Sequence, residues 1–245
     1  MIKVDYLKEF TAKLQSLDRS KRTYDVFRDF LILSTCALAQ PFYRSDKIEQ
    51  KYLETVNKYT KKQAEEFSQL LAFLIDALTE KHQDFLGQVY MQLKLGNSVN
   101  GQFFTPYNIS QFMAEINFTE VEEKLEEQEF ITLSDPCCGS AGMIIAFAET
   151  MKNKGYNYQN QLFVEVIDID EMCFMMAYIQ LSLYGIPAKV MLGDTLAYKF
   201  SQIICTPMYF INGFSWRLKE AEKTKTNSEK EIIKKVEEIK QLTLF

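Results

Sequence analysis

The segment Asp135–Met143, DPCCGSAGM, decides the fold, because it joins a short apolar run, FITLS, to a stretch with helical periodicity. Gly139 and Gly142 let the backbone turn tightly and approach a ligand at the start of the helix. A strand, a glycine-rich turn and a helix are typical of nucleotide-like binding loops, although glycines at such turns also serve packing alone. We expect Asp135 to end the strand and Ser140 to lie in the loop.

Beyond this loop, short apolar runs alternate with helical stretches. LFVEVID, AKVMLGD and FSQIIC have the composition of strands, and EMCFMMAYIQLSLYG has that of a helix. Strands that alternate with helices predict βαβ units and a mostly parallel sheet, with ligands at the carboxyl ends of the strands. We therefore predict a four-stranded α/β domain over residues 96–218.

Carboxylates end three successive predicted strands, at Asp135, Asp168 and Asp194. In doubly wound folds, an acidic residue at the end of the second strand accepts hydrogen bonds from ribose hydroxyls, and Asp168 is our candidate for that position. Asp170 is a close neighbour that could equally cap the next helix. Three carboxylates at one edge of a sheet suit a ligand with several donors and a positive centre.

The regions on either side of the α/β domain have helical patterns. Residues 1–95 repeat apolar side chains at three- and four-residue spacing, which predicts a small domain of about four helices. The segment KLGNSVNGQFFTP breaks that pattern and marks the boundary. Residues 219–245 form a third segment, in which an amphipathic helix precedes the C-terminal peptide QLTLF.

Composition limits the functions that are open to the chain. A net charge of −5 gives no basic surface for phosphates, so contact with DNA must be local or assisted by a partner. The five cysteines have neither the spacing of a zinc site nor that of a disulfide framework, which indicates no metal and a reduced, cytoplasmic setting. No segment reaches the roughly 18 apolar residues of a membrane span, so we expect no membrane association.

Five segments together resemble a known family. In order, GQFFTP, DPCCGSAGM, VIDID, GDTL and IICTPMYF resemble motifs of S-adenosylmethionine-dependent DNA adenine-N6 methyltransferases, particularly the modification subunits of type I restriction systems. The resemblance spans residues 101–210, and the helical region before them is similar more loosely. It implies a Rossmann-like methyltransferase domain that uses S-adenosylmethionine as cofactor and acts on DNA.

The resemblance also implies roles for individual residues. Phe104, Thr105 and Pro106 would line the methionine end of the cofactor. The loop beneath it would contain Asp135, Gly139 and Ser140. Asp168 would hold the ribose, and Asp194 would hold the adenine of the cofactor.

The catalytic loop of that family reads (Asp/Asn)-Pro-Pro-(Tyr/Phe) at the end of the fourth strand, and here it reads TPMY. Thr206, Pro207 and Tyr209 would therefore be the catalytic residues. A threonine hydroxyl is a weaker acceptor for the adenine N6 hydrogens than a carboxylate or amide oxygen. The loss of a preorganised acceptor costs on the order of 3 kcal/mol of barrier, so we expect the isolated chain to be slow or inactive.

The C-terminal peptide carries a second resemblance, to the sliding-clamp-binding peptide Gln-Leu-x-Leu-Phe of bacterial polymerases and repair proteins. Its specified positions are Gln241, Leu242, Leu244 and Phe245. An extended peptide could place these apolar side chains in a groove of the clamp. Alternatively, they fold back onto an apolar edge of the sheet, and the sequence favours neither interpretation.

Three functions therefore stay open at this point. The first is adenine-N6 methylation of DNA, with DNA reached through a partner subunit or a clamp. The second is a non-catalytic subunit that binds the cofactor and regulates or imitates a modification complex. The third is a scaffold with a vestigial pocket. Cofactor binding and turnover, measured separately, distinguish the three.

Overall fold

The computed structural model describes residues 4–95 and 104–224. The first of these parts is helical, as predicted, and contains one helix more than the four expected. The helices are α1 (Tyr6–Leu17), α2 (Thr23–Tyr43), α3 (Asp46–Val56), α4 (Lys61–Glu80) and the short α5 (Phe85–Gln92).

The second part contains the α/β region. A long helix, α6 (Tyr107–Glu127), precedes the first strand. The elements that follow are β1 (Ile131–Asp135), α7 (Gly142–Asn153), α8 (Tyr158–Gln161), β2 (Leu162–Asp168), α9 (Glu171–Tyr184), β3 (Ala188–Asp194), β4 (Lys199–Cys205) and α10 (Pro207–Ile211). Residues 214–224 are also helical.

The four strands form one sheet in the order β1-β2-β3-β4. β1 and β2 are parallel, as are β2 and β3, which confirms the predicted α/β class with a mostly parallel sheet. β4, however, pairs antiparallel with β3. Only residues 195–198 connect these two strands, whereas a parallel crossover needs a dozen residues or more, so the chain turns back as a hairpin.

One face of the sheet and the N-terminal helices share a single hydrophobic cluster, which extends along the chain from Phe10 to Ile204. The right-handed βαβ connections place α7 and α9 on this face. Eleven of the fourteen residues of α9 are buried, because α9 lies between the sheet and α2. The helical region is thus packed directly against the helix that follows β2.

The opposite face of the sheet is more polar in the described residues. Lys189 of β3 donates to Glu165 of β2 at 3.0 Å on this face, and both side chains are partly exposed. Phe214 covers part of the face by packing against Phe130 and Phe163 in a small separate cluster. This face is therefore adapted to solvent over much of its area.

A buried carboxylate joins the helical region to the glycine-rich loop. The Ser140 hydroxyl donates to Asp84 Oδ2 at 2.5 Å, and Gln180 Nε2 of α9 donates to Asp84 Oδ1 at 2.9 Å. The Gly87 amide also donates to Asp84 Oδ1, at 2.9 Å. A side chain at Gly87 would collide with the Asp84 carboxylate, so this close approach requires glycine.

We predict that Asp84→Ala lowers the free energy of unfolding by about 3 kcal/mol, because it leaves the Gly87, Ser140 and Gln180 donors buried without an acceptor. Asp84→Asn should cost much less, since its amide oxygen still accepts from Gly87 and Gln180 and its nitrogen can donate to the Ser140 hydroxyl. Urea unfolding of both variants measures the difference. Equal losses for alanine and asparagine would show that the hydrogen bonds contribute little.

Candidate functional site

A cavity of about 440 Å³ lies at the carboxyl end of β1. This volume is within the range of roughly 300–1,000 Å³ that is typical of small-molecule sites. Its walls come from the end of β1, the glycine-rich loop, the start of α7, the first half of α6 and the residues before α6. Of the predicted site residues, it is lined by Phe104, Thr105, Asp135, Gly139 and Ser140.

The glycine-rich loop passes close to the Phe104 ring. Gly139 has a φ of +55°, and a Cβ atom there would lie 3.0 Å from the Phe104 ring. Phe104 in turn packs against Tyr90 of α5, with ring centroids 5.2 Å apart. A larger residue at Gly139 would be strained in its backbone and would also push Phe104 away from the loop.

Two of the predicted carboxylates lie at this edge. Asp135 lines the cavity and accepts from the Cys137 amide at 3.1 Å. Burial raises the pKa of Asp135, and the neighbouring charge of Asp168 adds to that shift. Asp168 accepts from the amides of Gly139 at 2.8 Å and Asp170 at 2.9 Å, so it fixes the loop. The carboxylate of Asp168 has lone pairs left for a ligand.

The cavity lining does not include three of the predicted cofactor residues, namely Asp168, Asp194 and Pro106. Asp194 lies two strands away from β1 and accepts from the Ala197 amide at 2.9 Å, which caps the β3–β4 turn. Pro106 is the residue before the first turn of α6. Its rigid backbone sets the start of that helix next to Thr105.

The structure places the predicted catalytic residues at the opposite edge of the sheet. Thr206 is fully buried; its hydroxyl donates to the Ile186 carbonyl at 2.7 Å and accepts from the Ala188 amide at 2.9 Å. These groups lie at the amino end of β3. Because β4 runs antiparallel, its carboxyl end points away from the cavity. Thr206 therefore lies away from the cavity, whereas the resemblance implied a catalytic loop beside the cofactor.

Pro207 and Tyr209 follow Thr206 at that far edge. Pro207 is at the start of the short helix α10, a position that suits its missing N–H. The Tyr209 ring packs against Phe163, with centroids 6.0 Å apart. In the described residues, neither side chain lines the cavity, and both have packing roles.

Several polar residues that line the cavity were not predicted from the sequence, and the buried ones among them are Asp84 and Ser110. Asp84 precedes Ser140 by 56 residues, and the spacing of Asp84 and Gly87 was the only local signal for it. Ser110 is fully buried and its hydroxyl has no hydrogen-bond partner among the described residues. In the sequence, Ser110 has no feature that distinguishes it from other polar residues of a helix.

Residues 4–95 and 104–224 contain neither a candidate metal site nor a candidate membrane span. In these ranges, no group of three or more His, Cys, Asp or Glu side chains could hold a metal ion. No helix there is both long enough and apolar enough to cross a bilayer.

A family model described as N-6 DNA methylase matches residues 81–238, which is well over half of the chain. The chain belongs to the N-6 DNA methylase family. The matched range begins just before Asp84 and α5, so the last helix of the N-terminal region belongs to the methylase unit as well as to the helical one. Membership of this family implies S-adenosylmethionine as the methyl donor.

Among solved structures, the chain is similar to a crystal structure described as a class I S-adenosylmethionine-dependent methyltransferase from Listeria monocytogenes. The two are 19% identical, with a TM-score of 0.39 over 78% of this chain. The chain spans 55% of that protein. A comparison with curated proteins gave no match.

The cavity fits the implied cofactor in its chemistry. S-adenosylmethionine carries a sulfonium and an ammonium group beside one carboxylate. Asp135 lines the cavity, and among the described lining residues there is no lysine, arginine or histidine. Carboxylates near a cationic ligand are favourable, whereas a phosphate would meet no countercharge.

We predict that Thr206→Val lowers the free energy of unfolding of the chain by about 2 kcal/mol, because two buried backbone groups lose their partner. The affinity for S-adenosylmethionine should not change, since Thr206 is at the far edge of the sheet. Urea unfolding and calorimetry measure the two quantities. Thr206→Ser, which keeps the hydroxyl, is the matched control. A valine variant of normal stability with weakened cofactor binding would contradict this assignment.

Proposed function

We propose that the chain binds S-adenosylmethionine, or its demethylated product, in the cavity at the carboxyl end of β1. One observation carries this proposal: the Gly139 turn, the Phe104 ring and the Asp135 carboxylate surround a single cavity. When bound, the cofactor supplies an electrophilic methyl group. Phe104 and Thr105 would contact its methionine end, and Gly139 and Ser140 would lie beneath it.

Asp168 keeps a proposed role with the cofactor ribose. Its carboxylate already holds the Gly139 amide, so a ribose hydroxyl that donates to it would also be positioned relative to the loop. We retain Pro106 as a residue that orients Thr105. For Asp194, the turn-capping hydrogen bond favours a structural role over contact with the cofactor adenine.

We further propose that the chain is a component of a DNA adenine-N6 modification system of the type I modification-subunit kind. Transfer to adenine needs acceptors for the two N6 hydrogens beside the methyl group. Thr206 and Tyr209 are at the other edge of the sheet, so the described residues supply no such loop at the cavity. A cofactor-binding subunit that is slow or inactive by itself is the function that the geometry favours.

The charge of the chain also affects how it would contact DNA. The net charge of −5 disfavours binding to phosphates by bulk electrostatics, which supports contact with DNA through a partner.

The five cysteines form no disulfide, and this supports a reducing, cytoplasmic setting.

Calorimetry with S-adenosylmethionine tests the proposed function. Gly139→Val should weaken binding at least about tenfold, because the side chain strains the turn and collides with Phe104. Asp194→Asn, in the β3–β4 turn, is the matched control and should bind normally. The isolated chain should transfer methyl groups to DNA far more slowly than about 1 per second. Absence of heat at millimolar cofactor would refute the proposal, and turnover at enzyme-like rates would refute its second part.

The pH dependence of binding gives a further check on Asp135. Its raised pKa means that the carboxylate is neutralised at a higher pH than an ordinary aspartate, whose pKa is about 3.9. Affinity for the cationic cofactor should therefore begin to fall at that higher pH as the solution is acidified. In Asp135→Asn this dependence should be reduced.

The clamp peptide Gln241, Leu242, Leu244 and Phe245 lies outside the described residues. We propose that it binds a bacterial sliding clamp, which would bring an acidic chain to DNA by raising the local concentration. Deletion of residues 241–245 should abolish capture by a purified clamp without changing the melting temperature. A lower melting temperature, together with no clamp binding by the intact chain, would favour the alternative in which the peptide folds back.

A further inference from the structure

The cavity lies beside an edge strand, β1, which is an unusual position for a ligand site in a parallel sheet. In doubly wound sheets the ligand lies in a crevice between two neighbouring strands, at the point where the strand order reverses. Here β1 pairs with β2 on one side, and none of the described residues forms a strand on its other side. The cavity is therefore bordered by β1 as its outermost strand.

An apolar stripe on α6 lies beside that edge. It consists of Ile109, Phe112, Met113 and Ile116, whose spacing puts them on one face of the helix. Phe112 is 61% exposed and Ile116 is 60% exposed, and Met113 also lines the cavity. Contiguous exposed apolar side chains of this kind mark interaction sites.

An acidic groove lies on the other side of β1, between this strand and the helical residues 214–224. Its volume is about 660 Å³, and Phe130 and Phe163 are among its apolar lining residues. Five glutamates and one arginine line it. The arginine, Arg217, lies 4.3 Å from the centroid of the Phe214 ring and 3.6 Å from a Glu129 carboxylate oxygen, so its charge is partly offset. Glu165 and Glu220 pair with Lys189 and Lys223, so five glutamates face three cations and the groove keeps a modest negative charge.

We propose that these three features form one docking surface, the β1 flank, for a second protein that extends the sheet from β1. The β1 flank comprises the outer edge of β1, the α6 stripe and the acidic groove. Main-chain hydrogen bonds to an edge strand are a common mode of recognition. The apolar stripe and the glutamates require a partner strand flanked by apolar and basic side chains.

The charge of the β1 flank distinguishes this partner from other occupants. DNA would bring phosphates against a groove in which glutamates outnumber cations, which is unfavourable. A second copy would present the same acidic groove and a net charge of −5. A basic polypeptide gains from both the charge and the edge of the sheet.

A partner strand beside β1 and parallel to it would end next to Asp135 and the cavity. Its terminal loop could supply the acceptors for adenine that TPMY does not bring there. This consequence rests on the proposed function, whereas docking itself does not. Since coupling is reciprocal, an occupied β1 flank should raise the affinity for S-adenosylmethionine by the factor by which the cofactor raises that of the partner.

The single tryptophan makes docking measurable in the full chain. Trp216 lines the acidic groove and is 65% exposed, so an occupant should shift its emission to shorter wavelength. The probe is a synthetic seven-residue peptide of alternating lysine and valine, and the control peptide has glutamate in place of lysine. We expect a saturable shift with the lysine peptide and none with the glutamate peptide, in the absence of cofactor.

Charge reversal locates the site. Glu127→Lys combined with Glu129→Lys should weaken binding of the lysine peptide about tenfold. Glu65→Lys combined with Asp76→Lys makes the same change of charge on exposed positions of α4 and should have little effect. Equal weakening by both pairs, or equal responses to the two peptides, would overturn the proposal. Tighter cofactor binding in the presence of the lysine peptide would support the coupling between the β1 flank and the cavity.

Two other results would show that the β1 flank binds something other than a basic partner. Sedimentation that shows a dimer of the chain, lost in Phe112→Asp but kept in Ile75→Asp on α4, would assign the β1 flank to a second copy. A shift of Trp216 emission to longer wavelength when residues 225–245 are deleted would assign it to the chain's own C-terminal segment. A monomer whose emission is unaffected by that deletion supports the proposal.

Discussion

The buried carboxylate of Asp84 is the constraint on which the arrangement of the site depends. It accepts hydrogen bonds from three parts of the chain, namely Gly87 of α5, Ser140 of the glycine-rich loop and Gln180 of α9. Gln180 also donates to the Ser140 carbonyl at 2.8 Å, so the loop is held through both its side chain and its backbone. Burial raises the pKa of Asp84, and the three donors oppose that effect. A helical region and a methylase loop are thereby fixed to each other by one side chain.

The direction of β4 determines which residues can reach the cavity. The hairpin sends TPMY back to the amino end of the sheet, where Phe210 of α10 packs on Phe42 and Tyr43 of α2. The Tyr43 hydroxyl accepts from the Cys205 amide at 2.6 Å and ties the end of β4 to the helical region. The segment that resembles a catalytic loop in sequence therefore stabilises the junction between the sheet and α2.

The sequence was sufficient to predict the helices and strands of the α/β region, but not how all of them are arranged in space. Periodicity and the glycine-rich loop predicted β1, β2, β3 and the helices between them, because these patterns are local. The same patterns carry no information about strand direction, so β4 was expected to end beside the cavity. The four-residue connection 195–198 was the available signal, since it is too short for a crossover.

Prediction of the site has the same physical limit. Phe104, Asp135 and Gly139 were found because they lie in contiguous motifs, and the structure gathers them around one cavity. Asp84 joins them only through tertiary packing, and Ser110 is buried only because α6 lies against α7. Proximity across the fold is not a property of any short window of sequence.

The position of α9 also affects how the chain can fold during synthesis. A helix that is apolar on nearly every side has no face that water tolerates, so it is stable only when both of its neighbouring layers are present. The helical layer is translated before α9, but β3 is translated after it. A ribosome-bound chain that has just completed α9 would expose the part of the helix that later packs on β3, which makes this stage a natural point for chaperone contact.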